Sequence, residues 1–134
     1  MTPRHEFGVL DTSAYIDLAL LDPAALPVIP QLTAITMAEL HQGVAMARDA
    51  ASRAARTEKL GAAIVEFEPV PFDGAAAARY GSLVALTVDA NRDRKPRRLD
   101  LMIAAIASAH RLPLYTRNAK DLAGLADLLQ VVEV

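Results

Sequence analysis

The sequence contains no cysteine and no tryptophan. Without thiols, disulfide bridges, thiolate zinc sites and cysteine nucleophiles are excluded, and a reducing compartment suits the chain. Aromatic residues make up only 4% of it, too few for a surface that holds nucleic acid mainly by base stacking. Excess positive charge is missing as well. Fourteen Lys and Arg stand against 16 Asp and Glu, a formal net charge of −2, so any nucleic-acid contact must come from a local basic patch. No apolar run approaches the roughly 20 residues needed to cross a bilayer. The opening stretch MTPRHEFGV holds no signal-peptide core. A cytoplasmic protein with no membrane partner is the expectation.

What is present argues for one folded domain over residues 1–134. At 53% hydrophobic and 22% charged, the chain can bury a real core and is not disordered. Phe7–Leu10 reads as a first strand and Ser13–Leu21 as a short helix stopped by Asp22-Pro23. Leu32–Ile35 reads as a second strand. Thr36 then opens a long run of helix formers, with a break near Arg48–Ser52. VEFEPVPF is extended and broken by proline, and Asp73 N-caps the helix GAAAARYGSLVALTV. After the charged loop DANRDRKPRR, the stretch Leu101–Ala109 is apolar nearly all round, the mark of a buried helix. LPLYT, AKDLAGLADL and LQVVEV read as strand, short helix and strand. This alternation predicts a three-layer α/β/α fold around a central, mostly parallel sheet of about five short strands.

Four acids stand where strands give way to helices. Asp11 follows the first strand, and Glu39 lies three residues after Thr36. Asp100 heads the buried helix, and Asp121 lies three residues after Asn118, beyond LPLYT. Each has an ordinary structural reading. Asp11 and Asp100 suit N-caps, Thr36-x-x-Glu39 has the form of a capping box, and Asn118-x-x-Asp121 is a related arrangement. Jointly they say more, because the turns that follow parallel strands share one edge of the sheet, where ligands bind. Carboxylates gathered there repel one another and raise pKa values unless a divalent cation intervenes. Oxygen ligands without cysteine suit Mg²⁺ or Mn²⁺, and such a site serves phosphodiester hydrolysis.

The run NRDRKPRR, with Arg92, Arg94, Lys95, Arg97 and Arg98 against one Asp, ends two residues before Asp100. Beside an acidic metal pocket, Arg94, Lys95, Arg97 and Arg98 would form a basic lip able to hold nucleic-acid phosphates without reading bases. Arg117, just past LPLYT, is a further candidate for substrate contact. No two of the three histidines have metal-ligand spacing. The Ala-rich stretch AMARDAASRAARTEKL fits either a solvent-facing helix or a groove for a partner helix.

VLDTSAYIDL, ITMAELHQGV and LDLMIAAIASAHRLPLYTRNAKDL, in that order, resemble the three signature blocks of PIN-domain ribonucleases, and more narrowly the VapC toxins of type II toxin–antitoxin pairs. The resemblance implies a Rossmann-like PIN fold and a Mg²⁺- or Mn²⁺-dependent endoribonuclease. It also implies a homodimer, held inactive by a cognate VapB-type antitoxin in a hetero-oligomer. Asp11, Glu39 and Asp100 match the family acids; Asp11 and Asp100 would be the main metal ligands, with Glu39 binding directly or through water. Asp121 would be the fourth acid with Asn118 as polar neighbour, and Ser13 and Thr116 would supply hydroxyls. Two other classes compete: a non-catalytic RNA- or protein-binding module on the same fold, and an aspartyl phosphotransferase using Asp11 as nucleophile. The latter usually carries a second acid two residues on, where this chain has Ser13.

Overall fold

The computed structural model describes residues 4–134. In chain order the elements are β1 (Phe7–Leu10), α1 (Thr12–Ile16), β2 (Ile29–Gln31), α2 (Ala34–Ala45), α3 (Ala50–Glu66), α4 (Gly74–Asp89), α5 (Arg98–Ala109), β3 (Leu114–Thr116) and β4 (Val131–Glu133). Short 3₁₀ turns lie at Leu18–Leu20, Pro23–Ala25, Lys95–Arg97 and Ala119–Leu122. The strands form a sheet in the order β2-β1-β3-β4, and every pair is parallel.

Strand side chains alternate faces, so neighbouring residues feed different layers. Val9 and Leu114 join Leu83, Leu101, Ile103 and Ala104 in a core beneath α4 and α5. Leu10 and Tyr115 point the other way, to Ala14, Leu32, Met37, Leu40 and Leu60 of the α1–α3 layer. The buried helix appears as expected: Leu101 and Ile103–Ser108 of α5 are all buried. Gly8 leaves room for Tyr115 and Pro27 against one face of β1. A Cβ there would lie 2.5 Å from Tyr115 Cε1 and 3.1 Å from Pro27 Cβ. Gly8→Ala is therefore expected to cost about 1–3 kcal/mol by overpacking, readable as a lower urea midpoint at unchanged slope.

Two helices end in left-handed caps that set the loops around the sheet. After α4, Asn91 takes φ 62, its N–H reaches Val88 O, and Arg92 N–H reaches Thr87 O. After α5, Arg111 takes φ 56, with Arg111 N–H on Ser108 O and Leu112 N–H on Ala107 O. Both are Schellman closures. The first turns the chain into the basic loop; the second returns it directly into β3.

Several boundaries differ from expectation. The second strand is Ile29–Gln31, not Leu32–Ile35. It carries Pro30 and lies at the edge of the sheet, where the missing N–H is tolerated. Helix α2 starts at Ala34, capped by Thr33, whose Oγ1 accepts from Thr36 N–H. The Thr36–Glu39 capping box does not form. The expected fifth strand reduces to one bridge, Thr33 to Val70. Pro69 and Pro71 flank Val70 and remove the donors that would extend it. The first helix stops at Ile16 and gives way to a 3₁₀ turn rather than running to Leu21. AKDLAGLADL is 3₁₀ only over Ala119–Leu122 and is ended by Gly124 at φ +90.

Candidate active site

The chain leaves β1 toward β2 on one side and later returns to β3 on the other. The carboxyl ends of β1 and β3 therefore flank a topological switch point, the usual ligand crevice of a parallel sheet. Asp11 follows β1, while Thr116 ends β3 and Asn118 and Asp121 come just after it. Helix α5 feeds β3 through a tight turn, which puts its first turn, with Asp100, at the same edge. These residues line one small cavity of about 40 Å³: Asp11, Ser13, Asp100, Thr116, Asn118, Asp121 and Leu122. Size alone does not single it out. A cleft of about 630 Å³ lies at the opposite sheet edge, between Arg79, Arg111, Pro113 and Gln130, but only one acid, Asp127, lines it.

Asp11 is an N-cap, as the sequence suggested. Its Oδ1 accepts from Ala14 N–H at 2.8 Å and from the Ser13 hydroxyl at 2.7 Å. Ser13 Oγ in turn accepts from Arg117 N–H at 3.2 Å, tying the turn after β1 to the chain after β3. Both bonds to Asp11 fall on Oδ1; no protein donor among the described residues reaches Oδ2. Thr116 is buried and its Oγ1 accepts from Asn118 N–H at 3.1 Å. Asn118 does not cap the following turn with its side chain, so that capping expectation fails.

Asp100 is not a cap. It sits in the first turn of α5, behind Arg97 as N-cap residue. Its carboxyl pKa is pushed up to about 6, first by burial and then by the charges of Asp11, Glu39 and Asp121, against a smaller opposing pull from Arg97. Three acids distant in sequence thus act on a fourth in space.

Glu39 lies next door. It lines a second cleft of about 480 Å³ with Lys95, Arg98, Leu99 and Asp100, so Asp100 borders both spaces. One Glu39 oxygen, Oε1, accepts from the Thr12 hydroxyl at 2.7 Å. Among the described residues no three His, Asp or Glu side chains are grouped closely enough to form a ready metal cage. Mg²⁺ seldom needs one, since it is ordinarily held by one or two carboxylates and keeps several waters. A lining rich in carboxyl and hydroxyl oxygens, room for about one water-sized occupant and a carboxyl crowded by like charge all suit such an ion.

The basic residues divide. Lys95 and Arg98 line the cleft. Arg97 bears electrostatically on Asp100, gives one guanidinium bond to Asp93 O, and leaves its buried Nε without a partner among the described residues. Arg94 is exposed and lines neither space. Arg117 pairs with Asp17 at 3.6 Å and is not among the residues lining either space. Sequence reasoning missed Thr12, and it gave Thr36 only a capping role. Threonines abutting an acid carry no distinct signal until the helices are placed.

No family model matches the sequence. Ribonuclease VapC5 of Mycobacterium tuberculosis is 34% identical over 131 residues, 92% of this chain and 95% of that protein. The crystal structure of VapBC-5, a toxin–antitoxin system of the same organism, matches with a TM-score of 0.81 at 32% identity, over 96% of this chain and 99% of the other. FitAcB of Neisseria gonorrhoeae matches with a TM-score of 0.69 at 28% identity, over 92% and 94% of the two chains. With that likeness in sequence and fold along nearly its whole length, this chain belongs to the VapC family of ribonuclease toxins.

Proposed function

We propose that this protein is a Mg²⁺- or Mn²⁺-dependent endoribonuclease, restrained in the cell by a cognate VapB-type antitoxin. The observation that carries the reading is the shared crevice of Asp11, Asp100 and Asp121, whose mutual repulsion reaches Asp100. Asp11 and Asp100 would hold the ion. When bound, it supplies charge for the phosphoryl oxygens and a water of lowered pKa. Asp11 offers Oδ2 because Oδ1 is occupied by its cap bonds. Glu39 completes the site from the neighbouring cleft, Asp121 and Asn118 orient water, and Ser13 and Thr116 keep the two strand ends in register. Lys95 and Arg98 hold the phosphates flanking the scissile bond, so RNA lies across the cleft beside the acids.

The partner reading rests on VapBC-5, a toxin–antitoxin system whose structure this chain matches at 32% identity. An apolar groove of about 460 Å³ between α1, α2 and α3, walled by Ile16, Leu40, Ala55 and Glu39, gives an antitoxin segment a seat next to the crevice. A homodimer is the family-typical assembly. No helix among the described residues is long and apolar enough to cross a membrane, and a cytoplasmic site of action fits an RNA substrate.

Purified protein is expected to cleave single-stranded RNA with Mg²⁺ or Mn²⁺ and to stop on addition of EDTA. Cleavage unaffected by chelation would reject the metal dependence, and no cleavage with any divalent ion would reject the nuclease in favour of a binding module. Replacing both Lys95 and Arg98 by Ala is expected to raise KM for RNA by about tenfold with kcat nearly unchanged. It should also flatten the dependence of binding on salt by about two phosphate contacts. A fall in kcat alone would move those two residues from substrate binding into chemistry.

A further inference from the structure

We infer that Thr12 is a positioning residue for Glu39, acting through a directed chain of hydroxyls that begins at Thr36; this rests on the metal-dependent reading of the site. Thr12 Oγ1 lies 2.7 Å from Glu39 Oε1 and 3.0 Å from Thr36 Oγ1. A carboxylate oxygen only accepts, so the single Thr12 hydroxyl proton goes to Glu39. The Thr12 oxygen is then free to accept, and Thr36 must be the donor. The order Thr36 to Thr12 to Glu39 follows from proton counting alone.

The chain is anchored at both ends. Thr36 is fully buried, so no water can stand in for its partner. Its backbone N–H is held by Thr33 Oγ1, the cap of α2. Thr12 is the first residue of α1 and adjoins Asp11 directly. The link therefore sets Glu39 in a fixed orientation to Asp11 across two helices. It also engages one lone pair of Oε1 and leaves Oε2 with no side-chain donor among the described residues. A carboxylate so held presents Oε2 as its readier atom toward an ion or a bound water.

Thr12→Val keeps the shape and removes the donor. It is expected to lower kcat about tenfold with KM for RNA within twofold. It should weaken Mn²⁺ binding, measured by calorimetry, by about tenfold, the low end of outer-shell effects around metals. Thr12→Ser restores the hydroxyl and should bring both quantities back to within twofold of wild type. On a Glu39→Ala background, Thr12→Val should add nothing. Thr36→Val, one step back, should give a smaller loss of a few fold. Thermal unfolding of each variant separates a misfolded protein from a misplaced carboxylate, and Thr36→Val supplies a second route if Thr12→Val fails to fold. Wild-type protein that neither binds Mn²⁺ nor cleaves RNA overturns the reading of the site itself. Wild-type protein that does both, with Thr12→Val matching it or losing tenfold even without Glu39, overturns the positioning role alone.

Discussion

Asp11→Asn is expected to reduce metal-dependent RNA cleavage by more than about 100-fold, the loss that even outer-shell changes around a metal can reach, while the protein stays folded. The separation is possible because Asp11 has two jobs on two atoms. Oδ1 caps α1 through Ala14 N–H and accepts the Ser13 hydroxyl. An amide oxygen can do both, and Asn caps helices as well as Asp. What Asn cannot supply is negative charge at the other atom. Asp11→Ala removes charge and cap together, so it should lose activity and about 1 kcal/mol of stability besides. Circular dichroism melts alongside cleavage assays read both effects. Near-normal metal-dependent cleavage by Asp11→Asn would dismantle the proposed site.

Asp100→Asn is expected to be as inactive, yet more stable than wild type when no divalent ion is present. A carboxyl raised from 3.8 to about 6 is bound by a proton more readily in the folded than in the unfolded chain. Between those values the native state holds more protons, so stability rises as pH falls through 6 toward 4 and is lowest for this group above 6. The penalty arises from burial and from Asp11, Glu39 and Asp121. It is therefore present at neutral pH and vanishes with the charge. Without divalent ions, wild-type melting temperature should lag behind Asp100→Asn by a few degrees at pH 7.5, and the gap should close near pH 4.5. Taking the difference between the two proteins cancels carboxyls common to both, such as Asp49, whose pKa is lowered by Ser52. Saturating Mg²⁺ should raise the wild type and leave the variant in place. A gap that widens on acidification would reverse the sign and refute the electrostatic account.

The acids were legible in the sequence because topology, not local chemistry, gathers them. Strand–acid–helix turns on a parallel sheet share an edge, and this could be read from Asp11 and from Asn118 and Asp121 after LPLYT. The buried α5 was legible from its all-round apolarity, and α4 from Asp73. The edge strand was not. Ile29–Gln31 is three residues long and holds a proline, while the more apolar LTAI beside it is partly helix cap and helix. That misplacement moved the start of α2 by two residues and gave Thr36 a capping role that belongs to Thr33. Hydroxyl contacts between helices, such as Thr12 with Glu39, leave no periodic trace and depend on how α1 and α2 lie together. The ion pair of Arg117 with Asp17 was not legible for the same reason: it is visible only once the turn after α1 is placed.

The strand order has a bearing on synthesis. Because β3 sits beside β1 although more than a hundred residues separate them, a chain interrupted anywhere before residue 114 possesses one wall of the crevice and lacks the other. In a chain of this strand order, Asp11 and Asp100 meet Thr116, Asn118 and Asp121 only after the segment that forms β3 has been made.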